Sequence, residues 1–226
     1  MALVIDTTSN AGRTTDGSFA SRTWSHTCSG TDRVLVVGVV ITDGATVSSV
    51  TYDGTNLTRV NGITQAGYMT VEMWKLMAPS TGANDIVATF STSVSQTQCG
   101  AVSFTGSSGD VNNSVTLGTT GGSPSSNVTS ATGDIVIDVV CGQLKSNNPV
   151  EGTGQTSRWE LSGAGTRSGA CSTEAGAGTV TMSWTGLGAG AENCAQVAAN
   201  VVSGTQSASF TPSPMMHMMA VTGGVM

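Results

Sequence analysis

The sequence predicts an all-β protein: a single antiparallel β-sandwich of jelly-roll or related Greek-key type, with extended terminal arms. Three observations predict it. Strand-length runs rich in Val, Thr and Ser recur with turn signals roughly every eight to twelve residues. Asp43-Gly44 and Asp53-Gly54 separate consecutive runs as hairpin turns do. Charged residues make up only 10% of the chain and Gly numbers 30, whereas surface helices are written with Glu, Lys, Arg and Gln. At 226 residues the chain buries a substantial core without a metal or a disulfide.

The element around which the rest is arranged is Asp32 to Ile41, DRVLVVGVVI. Both parities are apolar, so both faces must be covered by protein. A second run of this kind, Asp134 to Cys141, follows about a hundred residues later and suggests two sheets or two half-domains closing one core. Before the first run, residues 1–30 hold a short strand from Leu3 to Asp6, a turn at Asp16-Gly17 and a strand from Ser18 to Thr27. They fit either edge strands or an N-terminal arm. After it come strand pieces at Val47 to Tyr52, Leu57 to Val60, Tyr68 to Met77, Asp85 to Phe90 and Gln98 to Thr105. Gly106 to Gly133 is Ser, Thr, Gly and Asn with one weak strand at Val111 to Leu117, and reads as a surface loop or crossover. Beyond Asp134 to Cys141, strands are expected at Ser157 to Leu161, Thr179 to Trp184 and Glu192 to Ser203. The sandwich domain is thus 31–204, with a duplication suggested between 31–106 and 133–204. Three pairs of segments carry that suggestion: Asp32 to Ile41 with Asp134 to Cys141, Thr70 to Trp74 with Thr179 to Trp184, and Cys99 to Val102 with Cys194 to Val197.

Residues 205–226 have another character. They contain no Asp, Glu, Lys or Arg and hold five of the ten methionines. Phe210, Pro212, Pro214, Met215, Met216, His217, Met218 and Met219 are expected to bind a partner as a C-terminal arm, because alternate prolines oppose a central strand and the methionines suit an irregular groove. Docking on the protein's own sandwich fits the same residues.

A formal charge of −6 with two lysines argues against nucleic acid and against an anionic membrane surface, both of which call for a basic stripe. The first residues lack the charged and long apolar regions of a secretory signal. Cys28, Cys99, Cys141, Cys171 and Cys194 form no CxxC pair and are expected as buried free thiols.

Catalytic patterns fail. His26 and His217 lie in no HExxH and are expected at the surface or an interface; no P-loop or GxSxG elbow is present. Gly186 to Ala191 matches the GxGxxA variant of the dinucleotide fingerprint, but no acidic residue follows Glu192 to hold a ribose, so a glycine-rich turn is the better reading. Asp134 and Asp138 share a strand parity without a calcium loop around them, Asp134 being expected in easy contact with solvent. No cofactor or metal site is expected. Trp24, Tyr68 and Trp159 are candidates for a sugar platform, and Trp159, Arg158 and Arg167 with the Gly163 to Gly176 hairpin form a possible ligand loop.

The succession VLVVGV, VSSVTYDGTNLTRV, VEMWKLMAPSTG and AVSFTG, spanning Asp32 to Gly106, resembles a β-sandwich module of virion proteins of tailed bacteriophages and of some bacterial surface proteins. The resemblance implies a structural or adhesive module with no catalytic set. Together with the methionine-rich segment it is similar to a capsid decoration or cement protein. That implies a non-enzymatic virion component made in the host bacterial cytoplasm, bound to the major capsid protein or another virion protein and forming homo-oligomers. The other function the residues allow is a tail-fibre or carbohydrate-binding adhesion module.

Overall fold

The computed structural model describes residues 2–14, 17–67, 69–143, 148–163, 167–188 and 191–204. Among them there is no helix; the strands pair antiparallel into sheets stacked face to face. The sandwich is built twice. In the first half, β1 (Val4–Arg13), β9 (Thr97–Thr105), β3 (Val34–Thr42), β7 (Met69–Met77) and β6 (Thr58–Gln65) form one sheet in the order β1-β9-β3-β7-β6. A second sheet runs β2 (Phe19–Cys28), β8 (Gly82–Val94), β4 (Val47–Tyr52) and β5 (Thr55–Asn56). In the second half, β10 (Ser107–Thr120), β17 (Asn193–Ser203), β12 (Ile135–Gly142), β15 (Ser168–Ala175) and β14 (Thr156–Leu161) form the matching five-stranded sheet. Its companion is β11 (Ser125–Thr129), β16 (Thr179–Thr185) and β13 (Val150–Glu151). Set side by side, β1, β9, β3, β7, β6 and β10, β17, β12, β15, β14 have the same order, as do β2, β8, β4 and β11, β16, β13.

The two five-stranded sheets pack on each other, which explains why both parities of β3 are apolar. Val34, Val36 and Val40 join Ile137, Val139 and Cys141 of β12 in the central core, together with Met73, Phe104, Trp159 and Val197. The opposite face of β3, Leu35, Val37, Val39 and Ile41, packs on Trp24, Tyr52, Ile86 and Phe90 of the first outer sheet. On β12, Val136 faces Val128, Val180 and Met182 of the other outer sheet, and Val140 meets Trp184 and Leu187. Four layers result, with the chain's two most apolar strands in the two inner ones.

Close approach of the inner sheets depends on missing side chains. Gly38 and Gly100 are paired across β3 and β9, and the Trp159 indole lies over them. A Cβ added at Gly100 would sit 2.5 Å from Trp159 Cε2, and one at Gly38 would sit 2.6 Å from Val139 Cγ2 and 3.0 Å from Trp159 Cζ2.

Several expectations are corrected. Gly106 to Gly133 is no crossover loop: the weak strand expected at Val111 to Leu117 is the middle of β10, the 14-residue edge strand of the third layer, and β11 follows it. Register shifts between Ser107 and Val111 and between Asn112 and Val115 break its alternation, which hides the strand from a period-two reading. Of the two readings of residues 1–30, Val4–Arg13 and Phe19–Cys28 take that of edge strands, one in each of two sheets. Trp74 lies on β7 and Trp184 on β16, strands that do not correspond in the two halves, so that pair of segments is a coincidence of strand composition. The other two pairs do fall on corresponding strands, β3 with β12 and β9 with β17.

Candidate functional site

Most of the chemistry-bearing side chains are spent inside the layers. Asp138 is fully buried on β12, facing the second outer sheet. Its Oδ1 accepts from Ser172 N (3.0 Å) and Ser172 Oγ (2.7 Å), and its Oδ2 from Trp184 Nε1 (2.7 Å) and Gln196 Nε2 (2.8 Å). Burial pushes this carboxyl up to about 6, and the Ser172, Trp184 and Gln196 donors oppose that rise. With both oxygens occupied by donors, the carboxylate is a hub joining three strands. Asp134, expected near solvent, is buried as well and accepts from Ser203 N and Asn200 Nδ2, each at 2.9 Å. Glu72 plays the part of Asp138 in the first half, accepting from Arg59 Nε (2.9 Å), Trp74 Nε1 (3.1 Å) and Val47 N (3.4 Å). Asp134 and Asp138, which share a strand parity, therefore serve separate structural networks.

His26 is likewise no surface residue; it is 1% exposed. Trp24 Nε1 donates to Ser9 Oγ (3.2 Å), and Ser9 Oγ lies 2.7 Å from His26 Nδ1. The indole can only donate, so Ser9 Oγ accepts from it, and the direction of the Ser9–His26 hydrogen bond follows the tautomer of the imidazole. Burial lowers His26 to about 4, against a raising effect of Asp6. Nε2 is sealed from solvent and has no hydrogen-bond partner among the described residues, so this serine and histidine are closed to a substrate. All five cysteines are free and buried; burial raises the thiols of Cys99 and Cys141 to about 12, which keeps them protonated and unreactive.

Two of the aromatic candidates for a sugar platform are core residues. Trp24 is 7% exposed and Trp159 5%, and Tyr68 lies outside the described residues. The candidates Phe210, Pro212, Pro214, Met215, Met216, His217, Met218 and Met219 lie outside them too. Arg167 and Arg158 are not brought together: Arg167 precedes β15 and donates its backbone N to Gln96 Oε1 at 3.0 Å, while Arg158 lies beside the far end of that strand, opposite Ser172 and Thr173. Nor is the stretch from Gly163 to Gly176 a hairpin loop; most of it is β15, an inner strand of the third layer.

Among the described residues two open clefts stand out. One, of about 240 Å³, is lined by Asp32, Arg33, Met77, Ala78 and Ser107 to Gly109. Met77 is 57% exposed there, and Arg33 is committed to the backbone, its Nε donating to Pro79 O at 2.9 Å. The other, of about 290 Å³, is lined by Ile135, Gly154, Thr156, Arg158, Thr173, Glu174 and Ala175. Both occupy the same corner of the repeat, where the start of β3 or β12 meets the end of β7 or β15. The second cleft holds the more available chemistry. Arg158 is the extra residue of a bulge, since Ser157 and Trp159 face consecutive residues of β15; such a residue leaves the alternation and is free to be re-aimed. Sequence reasoning singled out Arg158 but not the bulge that re-aims it, because a bulge breaks the parity by which cleft-facing residues would be chosen.

Against protein-family models, curated proteins and solved structures the chain shows no match.

Proposed function

We propose that this chain is a non-enzymatic structural component of a tailed-phage particle, of the capsid decoration or cement kind, made in the host cytoplasm and assembled as a homo-oligomer on the major capsid protein or another virion protein. One observation carries the reading. The last described residue, Gly204, donates its N to Gly106 O at 2.7 Å, next to Ser107 of the cleft in which Met77 is exposed. The 22 residues that follow carry no charge and five methionines. An uncharged, methionine-bearing segment tethered to a rigid stack is suited to tying one subunit to a neighbour. The two inner layers share a central core across both halves, which suits a part that carries load.

The test is incorporation. Tagged full-length chain produced during infection should band with particles in a density gradient, and a chain ending at Gly204 should fold yet stay at the top. Equal incorporation of the shortened chain removes the arm from the reading; absence of the full-length chain from particles removes the reading itself.

A further inference from the structure

The two outer sheets follow one plan, and the second leaves most of a strand out of it. In the first half β8 lies between β2 and β4, and β4 pairs with it from Val47↔Phe90 to Tyr52↔Ile86. In the second half β16 pairs with β11 along Thr179 to Ser183, but the strand in the place of β4 is β13, which meets only Thr185 and Trp184. Successive residues of a strand turn their backbone groups to opposite sides, so the bonds at one end of β16 fix the direction of the rest. Trp184 N donates to Pro124 O at 3.0 Å on the β11 side, whereas Ser183 N donates to Gln155 Oε1 (2.7 Å) and Ser183 O accepts from Gly152 N (2.8 Å) on the other. By the same parity Thr181 and Thr179 turn their N–H and C=O groups to the open side, where no strand among the described residues meets them. Edge strands are ordinarily guarded by bulges or charges. Here β1, β2, β6, β10 and β14 each carry a register shift, and on β11 the Thr129 carbonyl accepts from Asn113 Nδ2 at 2.9 Å. The sequence of β16, TVTMSWT, has no shift, no charge and no proline.

A strand added at this edge needs apolar residues beside Val180 and Met182, which are buried, and polar ones beside Thr179 and Thr181, which are exposed. Residues 207–211 are Ser-Ala-Ser-Phe-Thr: hydroxyls alternate with Ala208 and Phe210, no residue is charged, and Pro212, which has no N–H, follows. With Ser209 opposite Thr181 and Thr211 opposite Thr179, an antiparallel pairing sets Phe210 beside Val180 and Ala208 beside Met182, and both hydroxyl pairs exchange their backbone bonds. Pro212 then falls past Thr179, where β16 begins. The chain's own segment enters from the wrong end for this pairing. Ser203 N donates to Asp134 Oδ1 at 2.9 Å and Gly176 N donates to Asp134 O at 2.8 Å, which sets the end of β17 by the Thr179 end of β16. From there it would run parallel to β16, while every strand pair among the described residues is antiparallel. A segment from another molecule has no such constraint. We infer that the open edge of β16 receives residues 207–211 of a second copy of this chain as an added antiparallel strand. The inference rests on the reading of the uncharged segment as a tie between subunits, and gives that tie its receiving site.

The test is disulfide trapping between full-length chains in a glutathione redox buffer. The Cα separation of a hydrogen-bonded antiparallel pair, about 5.5 Å, suits a disulfide, and the native cysteines are buried and free. A Thr181→Cys chain mixed with a Ser209→Cys chain should give a covalent heterodimer, in clear excess over the mixture of Ser209→Cys with Thr23→Cys, a position also exposed but on β2. With Thr181→Cys and Ser209→Cys in one chain, dilution should leave the two thiols unlinked within that chain. The inference is overturned if the heterodimer does not exceed the Thr23→Cys mixture, or if the doubly substituted chain closes on itself, which would put the segment on its own edge. It is overturned as well if Thr181→Cys alone forms the larger amount of dimer, which would pair two β16 edges directly. A heterodimer in solution from a chain that does not band with particles would keep this site and remove the particle; incorporation without the heterodimer would keep the particle and remove this site.

Discussion

Asp138 and His26 show at single-residue scale how a polar group is kept inside stacked sheets. Asp138 survives burial because every lone-pair direction it offers is met, and the donors come from positions 34, 46 and 58 residues away. That distance is why the sequence shows the shared parity of Asp134 and Asp138 but not their roles: neither residue's neighbours in the chain supply its partners. Asp138→Asn keeps the shape but turns one acceptor into a donor facing the Trp184 or Ser172 N–H groups. An unsatisfied buried donor costs roughly 1–3 kcal/mol, so the urea midpoint should fall by a corresponding amount with unchanged slope. A shift near zero would mean that the hub reorganises around an amide. His26 was legible in principle. It shares a parity with Trp24 and Cys28, and all three turn inward, so alternation on β2 carried more information than the general habit of histidine to sit at the surface.

At the scale of elements, β3 and β10 mark what the sequence can and cannot carry. The apolar run of β3 announces a strand covered on both faces, and the structure supplies the reason, a sandwich on either side. What the run could not announce is the partner of each face, because the central core joins residues a hundred positions apart. β10 was legible in sequence only as the weak strand Val111 to Leu117, because its burial alternates from Ser107 to Val111 across the first register shift and blurs around the second, and because Ser, Gly and Asn are poor strand formers; pairing along β17 overrides that preference. The contact of Trp159 with Gly38 and Gly100 is the element-scale feature most open to test. Gly100→Val places a branched side chain in the space of the indole, whose nearest atom lies 2.5 Å from a Cβ. Overpacking of this kind costs about 1–3 kcal/mol or more. Trp159→Ala, by contrast, leaves a void and loses about 3–5 kcal/mol. Combined, the two changes should cost less than their sum, since the valine enters the space the indole vacates. Strict additivity in chemical denaturation would show that the indole does not lie over Gly100.

For the whole molecule, the question is whether two sandwiches of one topology behave as one body. His26 belongs to the first and Asp138 to the second, and their proton equilibria oppose each other. The imidazole is lowered to about 4 in the folded chain against 6.5 when unfolded, so the unfolded state takes up the proton first and stability falls as pH drops from about 6.5 toward 4. Asp138 is raised to about 6 against 3.8, so the folded state holds its proton longer and stability falls as pH rises from about 4 through 6. Each shift spans about two pKa units, worth roughly 3 kcal/mol at full extent. If the shared core couples the halves, the two slopes largely cancel and the chain unfolds in one transition whose midpoint is nearly flat between pH 4 and 6. His26→Gln should then leave the Asp138 slope exposed, with the midpoint falling as pH rises, and Asp138→Asn should expose the opposite slope. Calorimetry across this range decides it: two transitions moving in opposite directions with pH in the parent chain would mean that the halves fold independently, and the core built by β3, β9, β12 and β17 would then be a contact surface between two proteins in one chain.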